Sequence, residues 1–155
     1  MTYLLLKMIH IMSGAVLFGT GAGIAFFMVR AHMTKNAATV ASVGSIVVLA
    51  DFLFTATAVV VQPISGLGLI HLQGYGLFEP WLVAAYVLYV LVGVCWLPVV
   101  WIQMELAKLA KAAVADGTQL PARYHRLFKT WFILGWPAFA GVIGIYWLMV
   151  AKPAF

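Results

Sequence analysis

The chain has 155 residues, 65% of them hydrophobic and only 8% charged, with a mean hydropathy of +1.07. A soluble domain of this size has too little interior for that much apolar side chain, so the solvent around most of the surface must be lipid. The formal charge of +5 would suggest nucleic acid in a soluble protein, but here the Lys and Arg residues flank apolar runs, which is a membrane-topology pattern and not a nucleic-acid surface. The single cysteine, Cys95, excludes an intrachain disulfide, a CxxC motif and covalent c-type haem attachment.

The first apolar run, 3–29, is long enough to cross a bilayer as a helix and too long for the apolar core of a signal peptide, so it is read as retained. At about 100° per residue, His10, Gly14, Leu17, Gly21, Ala25 and Met28 share one helical face, with Lys7 one turn before His10. Ala15, Gly19 and Gly23 form a small-residue stripe on the opposite side, spaced for close packing against another helix. A polar turn with Arg30, His32, Lys35 and Asn36 follows.

The second span, 38–62, carries Asp51 at its centre, with Gly44, Thr55, Ala58 and Gln62 on the same face. Pro63 and the run 65–68 are expected to break or bend the helix near its end. The stretch 66–79 then reads as a linker containing His71 and the flexible Gly66, Gly68, Gly74 and Gly76.

Pro80 suits the first position of the third span, 80–103, which holds Tyr86, Tyr89, Cys95 and Trp96 and which Pro98 should kink. Residues 104–113 read as a helical continuation leaving the membrane, a short interfacial helix before the fourth span, ended by Asp116 and Gly117. Arg123, His125, Arg126 and Lys129 make the most basic stretch ahead of that span, 130–151, which Gly135, Trp136 and Pro137 interrupt. The expected fold is all-α: a four-transmembrane-helix bundle forming one integral membrane domain over 1–155.

The first and third connections hold Arg30, Lys35, Lys108, Lys111, Arg123, Arg126 and Lys129, while the other side has only Lys7 and Lys152. The positive-inside rule then predicts both termini outside, a multi-pass protein of the bacterial inner membrane, and His71 near the outer face.

An imidazole inside a membrane helix is costly enough to raise a functional hypothesis. For His10 two readings are open. It can hydrogen-bond across helices, to Gln62 or Tyr86. It can also ligate haem b, with Gly14 and Gly21 letting a flat porphyrin approach and Lys7 neutralising a propionate. In that case His71 is the first choice for the second iron ligand, provided the glycine-rich linker folds back. Asp51 has no Lys or Arg at its depth, so it is read as a neutral, hydrogen-bonded acid and a candidate for proton transfer. His32 and His125 are read as solvated interfacial residues, and Trp81, Trp131 and Trp147 as members of the interfacial aromatic belt.

The runs Leu6-Lys7-Met8-Ile9-His10-Ile11 and Phe27-Met28-Val29-Arg30-Ala31-His32, the corner Gln62-Pro63-Ile64-Ser65-Gly66 and the terminal Lys152-Pro153 resemble an uncharacterised family of small bacterial four-helix membrane proteins. More distantly, they resemble the haem-dependent protoporphyrinogen oxidases of the HemJ type and the copper-resistance D-type membrane proteins. The resemblance implies haem binding at His10. The oxidases' His-x-Lys pair is replaced by Trp81-Leu82-Val83, and their Asn-Glu-Val-Pro run by Gly135-Trp136-Pro137, so it implies haem binding without the oxidase activity. The expected function is a membrane b-type haem protein handling electrons near the outer face. The alternative is a non-catalytic subunit or assembly factor of a larger membrane complex or homo-oligomer.

Overall fold

The computed structural model describes residues 1–153. Four long helices account for nearly all of them: α1 (Thr2–Met33), α2 (Ala37–Gln73), α3 (Pro80–Ala115) and α4 (Ala122–Ala151), each long and apolar enough to cross a membrane. There is no strand among the described residues. Consecutive helices joined by short connections pack as antiparallel neighbours. The α1–α2 and α3–α4 contacts are the most extensive, followed by α2–α3, whereas α1 and α4 barely touch. The chain is a multi-pass integral membrane protein, and its outer surface of Leu, Ile, Phe and Met is the face that lipid covers.

The helix ends follow from local chemistry. Asn36 caps α2, its side chain accepting from the Thr39 N–H at 2.9 Å. Pro80 opens α3, where its missing N–H would have had no intrahelical partner anyway. Gly74 ends α2 and Gly117 turns the chain after α3, both at positive φ, where a Cβ would be strained.

The expected break at Pro63 does not occur: α2 runs through Pro63, Gly66 and Gly68 to Gln73. Pro98 and Pro137 also lie inside continuous helices. In a bilayer a carbonyl orphaned by proline can be satisfied from a neighbouring helix, and the helix then stays whole. The segment 104–113, expected to leave the membrane as a helix, is the continuation of α3 itself. Glu105 on that extension meets Arg123 of α4 at 3.1 Å.

Two apolar cores stabilise the bundle. The one at the basic end includes Met28, Val40, Leu106, Tyr124, Phe128 and Trp131. The one at the end bearing the termini includes Ile70, Trp81, Leu82, Ala85 and Leu148. Between lipid-solvated helices there is little hydrophobic drive, so small residues and close approach matter. An ideal Cβ at Gly44 would lie 3.2 Å from the Ala107 Cβ, and one at Gly141 only 2.6 Å from Val92 Cγ2. Gly66 and Gly68, expected as hinges, do the same work: a Cβ at each would press on His10 and on Leu6 of α1.

Candidate functional site

The polar side chains of the spans gather in two places. The first lies toward the termini, between α1 and α2. Ser65 Oγ donates to the Val61 carbonyl one turn back at 2.6 Å, which commits its proton. The contact of 2.8 Å between Ser65 Oγ and His10 Nδ1 must then be filled by the imidazole's proton. Nδ1 thereby carries a proton, and Nε2 takes no hydrogen-bond partner among the described residues.

Gln62, one turn from Ser65, donates to the His10 carbonyl at 2.8 Å and makes a 2.7 Å contact with Ser13 Oγ. Gly14 makes room for this amide, since an ideal Cβ there would stand 3.0 Å from both Gln62 Nε2 and Tyr146 Oη. Of the two expected partners of His10, then, Gln62 binds its backbone and not its ring. Tyr86 is exposed and makes no hydrogen bond among the described residues.

His71 does not fold back. It lies in the last turn of α2, exposed, five residues beyond the Gly66 against which His10 packs. Five helical residues amount to a rise of about 7.5 Å and a rotation of about 140°, so the two imidazoles do not face a common gap. Lys7 is also exposed, with its Nζ 5.6 Å from the Tyr3 ring centroid. Of the histidines expected as iron ligands, only His10 is oriented by a hydrogen bond through one ring nitrogen, with the other nitrogen unpartnered among the described residues. The arrangement does not fit ligation by His10 and His71 together. Nor does the expected flat face form, because Gln62 and Tyr146 cover Gly14, and Gly21 opens onto a different space.

That space is the second site. Phe18 of α1 stacks on Phe139 of α4 with centroids 5.0 Å apart. On the basic side of this pair the two helices part, leaving a half-open cavity of about 340 Å³ that all four helices line. Asp51 and Thr55 reach it from α2, where Asp51–Thr55 form a π-helical turn. Residues four apart fall on one helical face, so Asp51 and Thr55 are both buried while Phe52, Leu53 and Phe54 face lipid.

Asp51 is 3% exposed. Its Oδ1 accepts from Trp96 Nε1 at 3.4 Å. With the Gln103 amide oriented to satisfy its neighbours, Gln103 Nε2 donates to Asp51 Oδ2 at 3.0 Å and its oxygen accepts from Trp131 Nε1 at 3.2 Å. Asp51 is thus hydrogen-bonded to an indole and an amide, with Thr55 on the same cavity wall. Thr55 Oγ1 is buried and finds no hydrogen-bond partner of good geometry among the described residues.

Sequence reasoning placed Thr55 on the Asp51 face and missed the roles of Gln103, Trp96 and Trp131. Trp131 was expected in the interfacial belt. Instead it is 5% exposed, its N–H directed at Gln103; Trp81 is likewise buried, and only Trp147 lies outside. Of the two histidines at the basic end, His125 is exposed as expected. His32 is half-buried: its ring stacks on Phe128 with centroids 3.7 Å apart and lies 3.3 Å from the Tyr124 hydroxyl.

Comparison of the chain with curated proteins and with solved structures returns no match in either case. A family model described as a predicted integral membrane protein matches residues 4–153, nearly the whole length and all four spans, and the chain therefore belongs to that family, DUF2269.

Proposed function

We propose that this membrane protein carries a haem b on His10 and handles electrons at the end of the bundle that bears the termini, on the outer side of the bacterial inner membrane. The observation that supports this reading is the hydrogen bond from His10 Nδ1 to Ser65. Because Ser65 directs its proton to Val61, the imidazole donates from Nδ1, which fixes the ring and leaves Nε2 without a hydrogen-bond partner among the described residues. The resemblance of the first helix to haem-dependent oxidases points the same way. A bound haem supplies one-electron transfer. The chain's own contribution is to fix the ring, through Ser65, and to press it against Gly66. His71 is turned out, so a second axial donor comes from another chain or is not used.

An absorption spectrum of the purified protein, oxidised and then reduced, tests this. The parent is expected to be coloured, His10→Ala colourless, Ser65→Ala weakened in haem retention, and His71→Ala like the parent. A folded parent that stays colourless when made with ample haem removes the proposal.

A second reading, a subunit or assembly factor of a larger membrane complex or homo-oligomer, has its own support. The stripe Ala15, Gly19 and Gly23 is left open on α1: a Cβ at Gly19 meets nothing within 4 Å, and one at Gly23 meets only Phe27 of the same helix. Under this reading Gly19→Leu shifts the size of the detergent-extracted particle and leaves the helical content unchanged; an unaltered particle counts against it.

A further inference from the structure

We infer that the cavity between α1 and α4 is a binding site for a hydrophobic organic cation, with Asp51 as its counter-charge. This is independent of haem at His10. The cavity, at about 340 Å³, falls in the size range of small-molecule sites. Its polar end is unusual for a membrane interior. Asp51 receives hydrogen bonds from the Trp96 indole and the Gln103 amide, both neutral, which disperse a negative charge without cancelling it. No Lys, Arg or His lines the cavity among the described residues. A carboxylate in that position calls for a proton or a cation, and a cation has to come from outside the chain.

The remaining walls say which kind of cation. Phe18, Trp96, Trp131, Phe132, Trp136 and Phe139 line the space, and the electron-rich faces of such rings attract positive charge most strongly where water is excluded. The other lining residues are mainly Gly, Ala, Val, Leu and Ile, which exclude a hydrated inorganic ion but accommodate an apolar one. Thr55, 5% exposed with its Oγ1 unpartnered, can turn lone pairs toward the charge. A neutral ligand bearing a carbonyl fits less well. The indole and amide donors already serve Asp51 and Gln103, the Thr55 hydroxyl stands beside the same carboxylate, and that carboxylate repels an incoming oxygen. The cavity is half-open where α1 and α4 part, so a lipid-soluble cation has a route from the bilayer.

The test uses the full chain in detergent and radiolabelled methyltriphenylphosphonium in equilibrium dialysis. Binding is expected to be saturable, to quench tryptophan fluorescence, and to resist competition by 1,1,1-triphenylethane, the neutral molecule of the same shape. Asp51→Asn should weaken binding by about thirtyfold or more, the scale for deleting one partner of a buried charge pair. Gly21→Leu should also abolish binding without touching Asp51, since a Cβ there enters open space and a leucine fills part of the cavity. His10→Ala should bind like the parent, which separates this site from the haem reading. The inference is overturned by a parent without saturable binding, by an Asp51→Asn protein that binds as tightly, or by equal displacement with the neutral molecule. If Asp51→Asn does not fold, Gly21→Leu and the neutral competitor still decide.

Discussion

The Tyr89 hydroxyl of α3 donates to the Val59 carbonyl of α2, the one backbone acceptor in that turn that has lost its usual partner. Val59 lies four residues before Pro63, and proline has no N–H to return. A proline that the sequence reads as a helix break is thereby accommodated by a side chain from the next helix, and α2 gains three further turns.

This pairing predicts a specific coupling. Tyr89→Phe leaves the Val59 carbonyl unsatisfied in the bilayer and should destabilise the protein by about 1 kcal/mol, within the range of interhelical hydrogen bonds in membranes. Pro63→Ala restores the backbone N–H, so in that background Tyr89→Phe should be nearly neutral. Reversible unfolding in mixed micelles measures both. Equal effects of Tyr89→Phe in the two backgrounds would remove the explanation.

Helix contact predicts a contrast between two glycines of α4. At Gly141 an added Cβ would come within 2.6 Å of Val92 Cγ2, on a β-branched side chain that has little freedom to move aside. Gly141→Ala should therefore cost about 1–3 kcal/mol by overpacking. At Gly135 a Cβ meets nothing within 4 Å. Gly135→Ala should be neutral or slightly stabilising, because alanine loses less backbone entropy in a helix. Thermal aggregation curves of the two variants in detergent should separate; coincident curves would mean that α3 and α4 pack more loosely than described.

Much of the fold was legible because the bilayer writes span length into composition, and all four spans can be read from apolar runs and their flanking charges. The misread parts depend on pairs of residues far apart in sequence. Nothing local to Pro63 announces Tyr89. Nothing around Gly66 and Gly68 distinguishes a hinge from a groove for His10 and Leu6. In the candidate sites the same limit holds. His10, Asp51 and Thr55 stand out because polarity inside a span is conspicuous. Gln103 and Trp131 look like span-end residues until the packing of α3 on α4 turns them inward. The π turn at Asp51–Thr55 has no signature in residue type.

Orientation is a separate prediction, resting on seven Lys and Arg residues at one end of the bundle against Lys7 and Lys152 at the other. In a Cys95→Ala background, a cysteine placed at Gly117 should be shielded from an impermeant thiol reagent in intact cells, and one at Gly74 should be labelled. Both positions lie in exposed turns, so access depends only on the side of the membrane. Labelling of position 117 in intact cells would invert the topology and place His10 near the cytoplasmic face.

Asp51 supplies the last prediction, a contrast between a neutral and a cationic substitution. In Asp51→Asn the side-chain oxygen can still accept from Trp96. The new amide N–H faces Gln103, whose own amide can rotate to present its oxygen. That rotation turns the Gln103 nitrogen toward the Trp131 indole N–H, so one hydrogen bond is lost, and the cost should be about 1–2 kcal/mol. Folding and extraction should survive. Asp51→Lys instead places an ammonium beside two donors, the indole and the amide, in mid-span on a residue that is 3% exposed. Rotation of Gln103 can satisfy only part of that charge, and the stem would have to run through the cavity toward lipid. The insertion penalty for a lysine at mid-span is about 3 kcal/mol before any loss of packing is counted. Expression as a monodisperse peak in size-exclusion chromatography should therefore hold for Asp51→Asn and fail for Asp51→Lys. Equal, parent-like behaviour of the two would mean that residue 51 reaches water or a partner and is not enclosed among Trp96, Gln103 and Thr55.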